Sequence, residues 1–180
     1  GYTITNTLKS GNLEIVKSIT GDVSDSALTA EQKAAMTFTV TGPDGYSETV
    51  HYSDFTDGKY TFQNLPLGEY TVTETKESAE IVGYDLTTTY SVDGGKVNVK
   101  NKETSKVTVT NNYTTITVNV NGAKTWSGDD SQKDSRPDSI TVNLLANGKQ
   151  VANKTVTEAD NWKYSFTNLP KYENGKEIIE

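Results

Sequence analysis

The chain has 180 residues, a formal net charge of −7 and a pI near 4.8. It has no basic cluster, which argues against nucleic acid or an anionic membrane surface as a partner. Cysteine is absent and His51 is the single histidine, so disulfides, thiol catalysis and multi-histidine metal sites are excluded, and neither a metal nor a cofactor is expected.

A composition rich in Thr, Val, Tyr and Gly favours strands throughout. Residues 1–7 read as one short strand with Tyr2, Ile4 and Asn6 on a common face. After the hinge-like Lys9-Ser10-Gly11-Asn12, the stretch Leu13-Glu14-Ile15-Val16-Lys17 opens the first full domain. Side chains alternate across a strand, so Lys17 shares the face of Leu13 and Ile15, the apolar one.

Thr29-Ala30-Glu31-Gln32 has the form of a capping box and predicts a short helix over Ala30 to Ala35, the only one expected in this domain. Met36, Phe38 and Val40 alternate with threonines, Gly42-Pro43-Asp44-Gly45 makes a turn, and Tyr46 to Tyr52 returns as the second strand of a hairpin. His51 falls on that strand as an ordinary member. Lys59 to Phe62 is the next strand, followed by a turn at residues 64–68 and a strand ending at Glu74. Residues 83–92 and 96–99 read as strands joined by Asp93-Gly94-Gly95, a hairpin signal. Val107 to Asn111 closes the domain.

Two of these strands repeat the anomaly of the first. Tyr70, Val72 and Glu74 share one face, and so do Val107, Val109 and Asn111. Read one at a time, an inward Lys, Glu or Asn is ordinary: a snorkelling strand end, an acid beyond the core edge, a turn residue. Together they place an ammonium, a carboxylate and a carboxamide in one core, which is costly unless the groups pair or react.

A second unit begins at residue 115 almost without a linker. Ile116, Val118 and Val120 alternate with polar residues, and the same phase continues through Gly122 to Lys124. Lys163-Tyr164-Ser165-Phe166-Thr167-Asn168-Leu169-Pro170 repeats Lys59 to Pro66 at an offset of 104 residues, and the lysines 17 and 124 repeat at 107. The acidic loop with Asp129, Asp130, Asp134 and Asp138 lacks the ligand order of a calcium loop and reads as solvated surface. Strands equivalent to those of Glu74 and Asn111 do not follow Pro170 within the repeat, so the second unit is expected to be incomplete.

These motifs resemble the Cna B-type domains of Gram-positive surface adhesins and pilins. The resemblance rests on Leu13 to Lys17, Glu69-Tyr70-Thr71-Val72-Thr73-Glu74 and Val107 to Tyr113 in the first unit. In the second it rests on Lys124-Thr125-Trp126, Arg136-Pro137, Leu144 to Gly148 and Asn168-Leu169-Pro170, and Ile4 to Thr7 is similar to the closing strand. It implies an all-β chain of tandem prealbumin-like, reverse-immunoglobulin sandwiches of seven strands. Residues 1–10 would close a preceding domain, 11–114 form a complete domain with the one short helix, and 115–180 form the N-terminal part of a second.

The family further implies a spontaneous Lys–Asn isopeptide bond between first and last strands, assisted by a buried acid. Matched residue by residue, Lys17 and Asn111 are the cross-linked pair and Glu74 the assisting acid, with Lys124 the candidate lysine of the second unit and Asn6 a candidate closing-strand asparagine. Burial disfavours the charged forms of amine and acid alike, so a neutral amine can attack while the acid polarises the carboxamide.

The expected function is a structural stalk module of a cell-wall-anchored extracellular protein; a ligand-binding adhesin domain recognising a host matrix protein or glycan is the alternative. An enzyme is not expected beyond one self-cross-linking turnover. Expected partners are adjacent domains of the same polypeptide, the continuation of the chain past Glu180, or a neighbouring copy donating Gly1 to Thr7 as a strand. In an assembly of this chain alone, Lys124 is expected to stay unlinked.

Overall fold

The computed structural model describes Gly1, residues 8–128 and residues 134–180. The expected strand over residues 1–7, Gly1 apart and with Asn6 included, and Asp129 and Asp130 of the acidic loop lie outside the described residues. The chain divides into two compact units, Gly1–Thr114 and Thr115–Glu180.

Among the described residues the first unit contains eight strands: β1 (Ser10–Gly21), β2 (Thr37–Thr41), β3 (Ser47–His51), β4 (Lys59–Pro66), β5 (Gly68–Glu74), β6 (Tyr84–Tyr90), β7 (Lys96–Val99) and β8 (Thr104–Thr115). They form two four-stranded sheets, in the orders β4-β1-β8-β6 and β3-β2-β5-β7. Eight strands therefore replace the seven that the resemblance implied. The inward faces carry the core: Leu13, Ile15, Phe38, Val40, Tyr70, Val72, Val107 and Val109 are shut off from solvent, so hydrophobic burial fixes the register of both sheets. The first and last strands, β1 and β8, lie side by side and parallel, with Lys17 opposite Val109 and Ile19 opposite Asn111.

Helix α1 (Ala30–Ala35) forms where the capping box predicts it: the Thr29 hydroxyl accepts the Gln32 N–H at 3.0 Å and the Gln32 side chain accepts the Thr29 N–H at 2.8 Å. It is not the only helix. A second, α2 (Lys76–Ala79), follows Glu74 with no side-chain cap at Thr75; instead Ser78 accepts the Thr37 N–H at 3.0 Å and donates to the Thr75 carbonyl. Its stability comes from this tertiary contact, which leaves no local sequence signal.

The Asp93-Gly94-Gly95 turn does not close a hairpin. It carries the chain from β6 in one sheet to β7 in the other, where β7 pairs with β5. Gly95 explains the switch: its φ is +69°, and a Cβ there would stand 2.2 Å from the Val72 carbonyl oxygen. Only glycine lets the turn press onto β5 so closely. Similarly, the expected turn at residues 64–68 is shorter, because β4 extends to Pro66 across a bulge at Asn64, whose φ is +56°.

The second unit comprises β9 (Thr117–Ala123), β10 (Ser139–Ala146), β11 (Lys149–Thr157), β12 (Lys163–Pro170), β13 (Tyr172–Glu173) and β14 (Lys176–Glu177). Its sheets have two strands each: β12-β9, β10-β11 and β13-β14. The turn Asn147-Gly148, with φ of +51° and +82°, closes the β10–β11 hairpin.

The sequence repeat is also a repeat of register. Leu13 pairs with Phe62 and Ile15 with Tyr60 in the first unit; Val120 pairs with Phe166 and Gly122 with Tyr164 in the second. The bulge repeats too. The Asn12 side-chain oxygen accepts the Asn64 N–H at 3.1 Å, and that of Asn119 accepts the Asn168 N–H at 3.0 Å, with both bulged asparagines at φ +56°.

Candidate functional site

Lys17, Glu74 and Asn111 are the buried charged or amide side chains among the described residues. Their three strands bring them together because each occupies an inward position of an alternating apolar run, and those runs meet in the interior between the two sheets. The Lys17 Nζ lies 2.8 Å from Glu74 Oε2, with both side chains at zero exposure. Neither atom has another partner. Burial pushes the Lys17 ammonium down from 10.5 to about 8, with the Glu74 carboxylate acting in the opposite direction. The Phe38 ring, 5.6 Å from Nζ, forms part of the apolar wall.

Asn111 is held at both ends of its carboxamide. Its oxygen accepts a hydrogen bond from the Thr88 hydroxyl at 3.1 Å, and its Nδ2 donates to the Tyr113 hydroxyl at 3.4 Å. Thr88 also lies 3.5 Å from Glu74 Oε1, so it bridges the acid and the amide. Tyr113 in turn donates to the Ala79 carbonyl at 2.7 Å, which ties the site to α2. The Glu74 backbone N–H donates to the Tyr90 hydroxyl at 2.8 Å.

Thr88, Tyr90 and Tyr113 were not singled out from the sequence. For Thr88 the signal was nonetheless there: Tyr84, Leu86, Thr88 and Tyr90 are the half-buried, inward residues of β6, and a threonine in that row is as anomalous as Lys17 in its own. Tyr113 follows Asn111 at the same strand phase and is fully buried.

The second-unit lysine differs. Lys124 continues the phase of Val118, Val120 and Gly122, yet it is exposed, with Nζ 5.0 Å over the Trp126 ring. Among the described residues its sheet consists of β12 and β9 alone. Asn6 lies outside the described residues. Among the described residues no group of three or more His, Asp or Glu could hold a metal ion, and no helix is long and apolar enough to cross a membrane.

Comparison with known proteins agrees with this architecture. Residues 13–114, more than half of the chain, match the family model described as a domain of unknown function, DUF5979, and residues 120–179 match that of the Cna protein B-type domain. The chain belongs to the DUF5979 family, and its second unit carries a match to the Cna protein B-type domain. It is 37% identical over 131 residues to a collagen adhesin of Staphylococcus aureus, an alignment covering 69% of this chain and 11% of that protein. Among solved structures it is similar to two B repeat units, B1B2, of the S. aureus collagen binding protein Cna, with 28% identity and a TM-score of 0.53, covering 93% of this chain and 42% of the other. The chain thus spans about a tenth of the length of the curated relative it matches. The Cna B-type assignment and the all-β tandem architecture agree with the reading of the residues.

Proposed function

We propose that this chain is a structural stalk module of a wall-anchored extracellular protein, made resistant to load by an autocatalytic isopeptide bond between Lys17 and Asn111. The observation that carries this reading is the buried contact of Lys17 with Glu74, beside Asn111 on the strand adjacent to that of Lys17. A solvent-free ammonium and carboxylate are expensive to keep; an amide in their place is not.

The chemistry balances within the site. Glu74 takes one proton from the Lys17 ammonium, and the neutral amine adds to the Asn111 Cγ. Collapse of the tetrahedral intermediate breaks the Cγ–Nδ2 bond. The nitrogen of Lys17 gives up a second proton, the departing NH2 gains one to leave as ammonia, and the other stays on Glu74 or leaves with ammonia as ammonium. Fixed geometry between strands supplies the proximity that makes an unactivated amide react.

The mechanical consequence follows from topology. Parallel, neighbouring β1 and β8 place both strands that enter and leave the unit in shear, and a bond between Lys17 and Asn111 ties them directly. Closing a loop of nearly the whole unit stabilises it by roughly 4–5 kcal/mol if it acts like a disulfide of that loop length. The collagen adhesin match supports a surface protein as the parent, with neighbouring repeat domains as partners. Pulling the unit by its ends in single-molecule force spectroscopy tests the proposal. The segment between residues 17 and 111 stays unextended in the unaltered protein and extends in Glu74→Ala; equal extension in both overturns it.

A further inference from the structure

We infer that Thr88 is a catalytic residue of the cross-linking reaction, the donor that stabilises the negative charge developing on Asn111 Oδ1, and that Tyr113 fixes which end of the carboxamide it meets. The inference rests on the Lys17–Asn111 reading above. It starts from a question of orientation, since an asparagine side chain can present either its oxygen or its nitrogen to a neighbour.

The site answers it by elimination. The Tyr113 hydroxyl is 2.7 Å from the Ala79 carbonyl oxygen, which can only accept, so the tyrosine's single proton is committed there. Toward Asn111 it therefore only accepts, and the atom facing it must be the NH2 group. The carboxamide oxygen then points the other way, to Thr88 Oγ1 at 3.1 Å. Tyr113 marks the side from which ammonia departs, and Thr88 the side on which charge accumulates.

Thr88 has one proton and two acceptors, Asn111 Oδ1 at 3.1 Å and Glu74 Oε1 at 3.5 Å. While Glu74 is a carboxylate the two compete. Once Glu74 has taken the proton of Lys17 on Oε2, its Oε1 becomes a carbonyl oxygen and a weaker acceptor for Thr88. The hydroxyl proton is then directed mainly at Asn111. Activation of the nucleophile and polarisation of the electrophile are thereby coupled through one hydroxyl, beside Lys17 and Glu74 side chains that are shut off from solvent, where a preorganised donor has its greatest effect.

Thr88→Val preserves shape and removes the donor. Followed by mass spectrometry after refolding from denaturant of freshly made, unlinked chain, cross-linking should slow by about 10²–10³-fold, the usual cost of removing one oxyanion donor, and Thr88→Ser should restore most of the rate. Far-ultraviolet circular dichroism checks folding, and Thr88→Ala serves as second hydroxyl-free variant should valine disturb the sheet. Equal rates in Thr88→Val or Thr88→Ala and the unaltered protein overturn the inference, as does a serine variant as slow as valine. Failure of the underlying reading looks different: the unaltered protein itself then loses no ammonia.

Discussion

The Lys17 ammonium and the Glu74 carboxylate stand 2.8 Å apart on strands of opposite sheets, with neither side chain reaching solvent. The Glu74 carboxylate is the countercharge that acts on the Lys17 ammonium. Replacing Glu74 by Gln keeps the volume but removes the proton acceptor. We expect no loss of ammonia from this variant, retention of both sheets by circular dichroism, and a lower unfolding midpoint, because the linked loop is gone and Lys17 is left buried without its partner.

The pH dependence separates two roles for the acid. With Lys17 lowered to about 8, its amine keeps its proton below that pH and loses it above. If Glu74 must hold that proton during reaction, the cross-linking rate is flat up to about pH 8 and falls beyond it. A rate that keeps climbing through pH 8 would mean that neutralising the amine is sufficient and that Glu74 donates nothing.

The same shift has a stability consequence in a chain that cannot cross-link, such as Asn111→Ala. Lys17 has a lower value folded, about 8, than unfolded, 10.5. The unfolded state therefore binds more protons between these limits, and stability rises with pH across that window. Denaturant titrations at pH 7.5 and pH 10 should show this rise, and a decrease would contradict the burial of an unlinked Lys17.

Most of this architecture was legible because alternation is a local property. The inward positions of β1, β5 and β8 follow from period two alone, and a polar residue in an apolar row is visible without any structure. What was not legible depends on partners distant in sequence. Helix α2 is held by Ser78 against Thr37, the turn at Gly95 is decided by the carbonyl of Val72, and the exposure of Lys124 depends on which strands cover its sheet. Thr88 stood in plain alternation, but its meaning came only from Asn111 and Glu74 beside it.

The paired latches at the β4 and β12 bulges make a separate prediction. Asn12→Ala removes the acceptor of the Asn64 N–H, and Asn119→Ala that of the Asn168 N–H. Each should lower the stability of its own unit by about 1 kcal/mol, the net worth of one such bond, read from denaturant unfolding. Shifts of both units by a single substitution would contradict an intra-unit role.

Lysine accessibility divides the two repeats. An amine-specific label should modify Lys124, which is exposed, and leave Lys17 unmodified. Labelling of Lys17 in the folded protein would show that its amine is both free and reachable.

Intact mass followed by peptide mapping tests the central claim most directly. The account predicts a protein lighter than its sequence by one ammonia, and one branched peptide joining Lys17 to Asn111, not to Asn112, with Lys124 in an unlinked peptide. A full sequence mass, with Lys17 and Asn111 recovered in separate peptides, would contradict it.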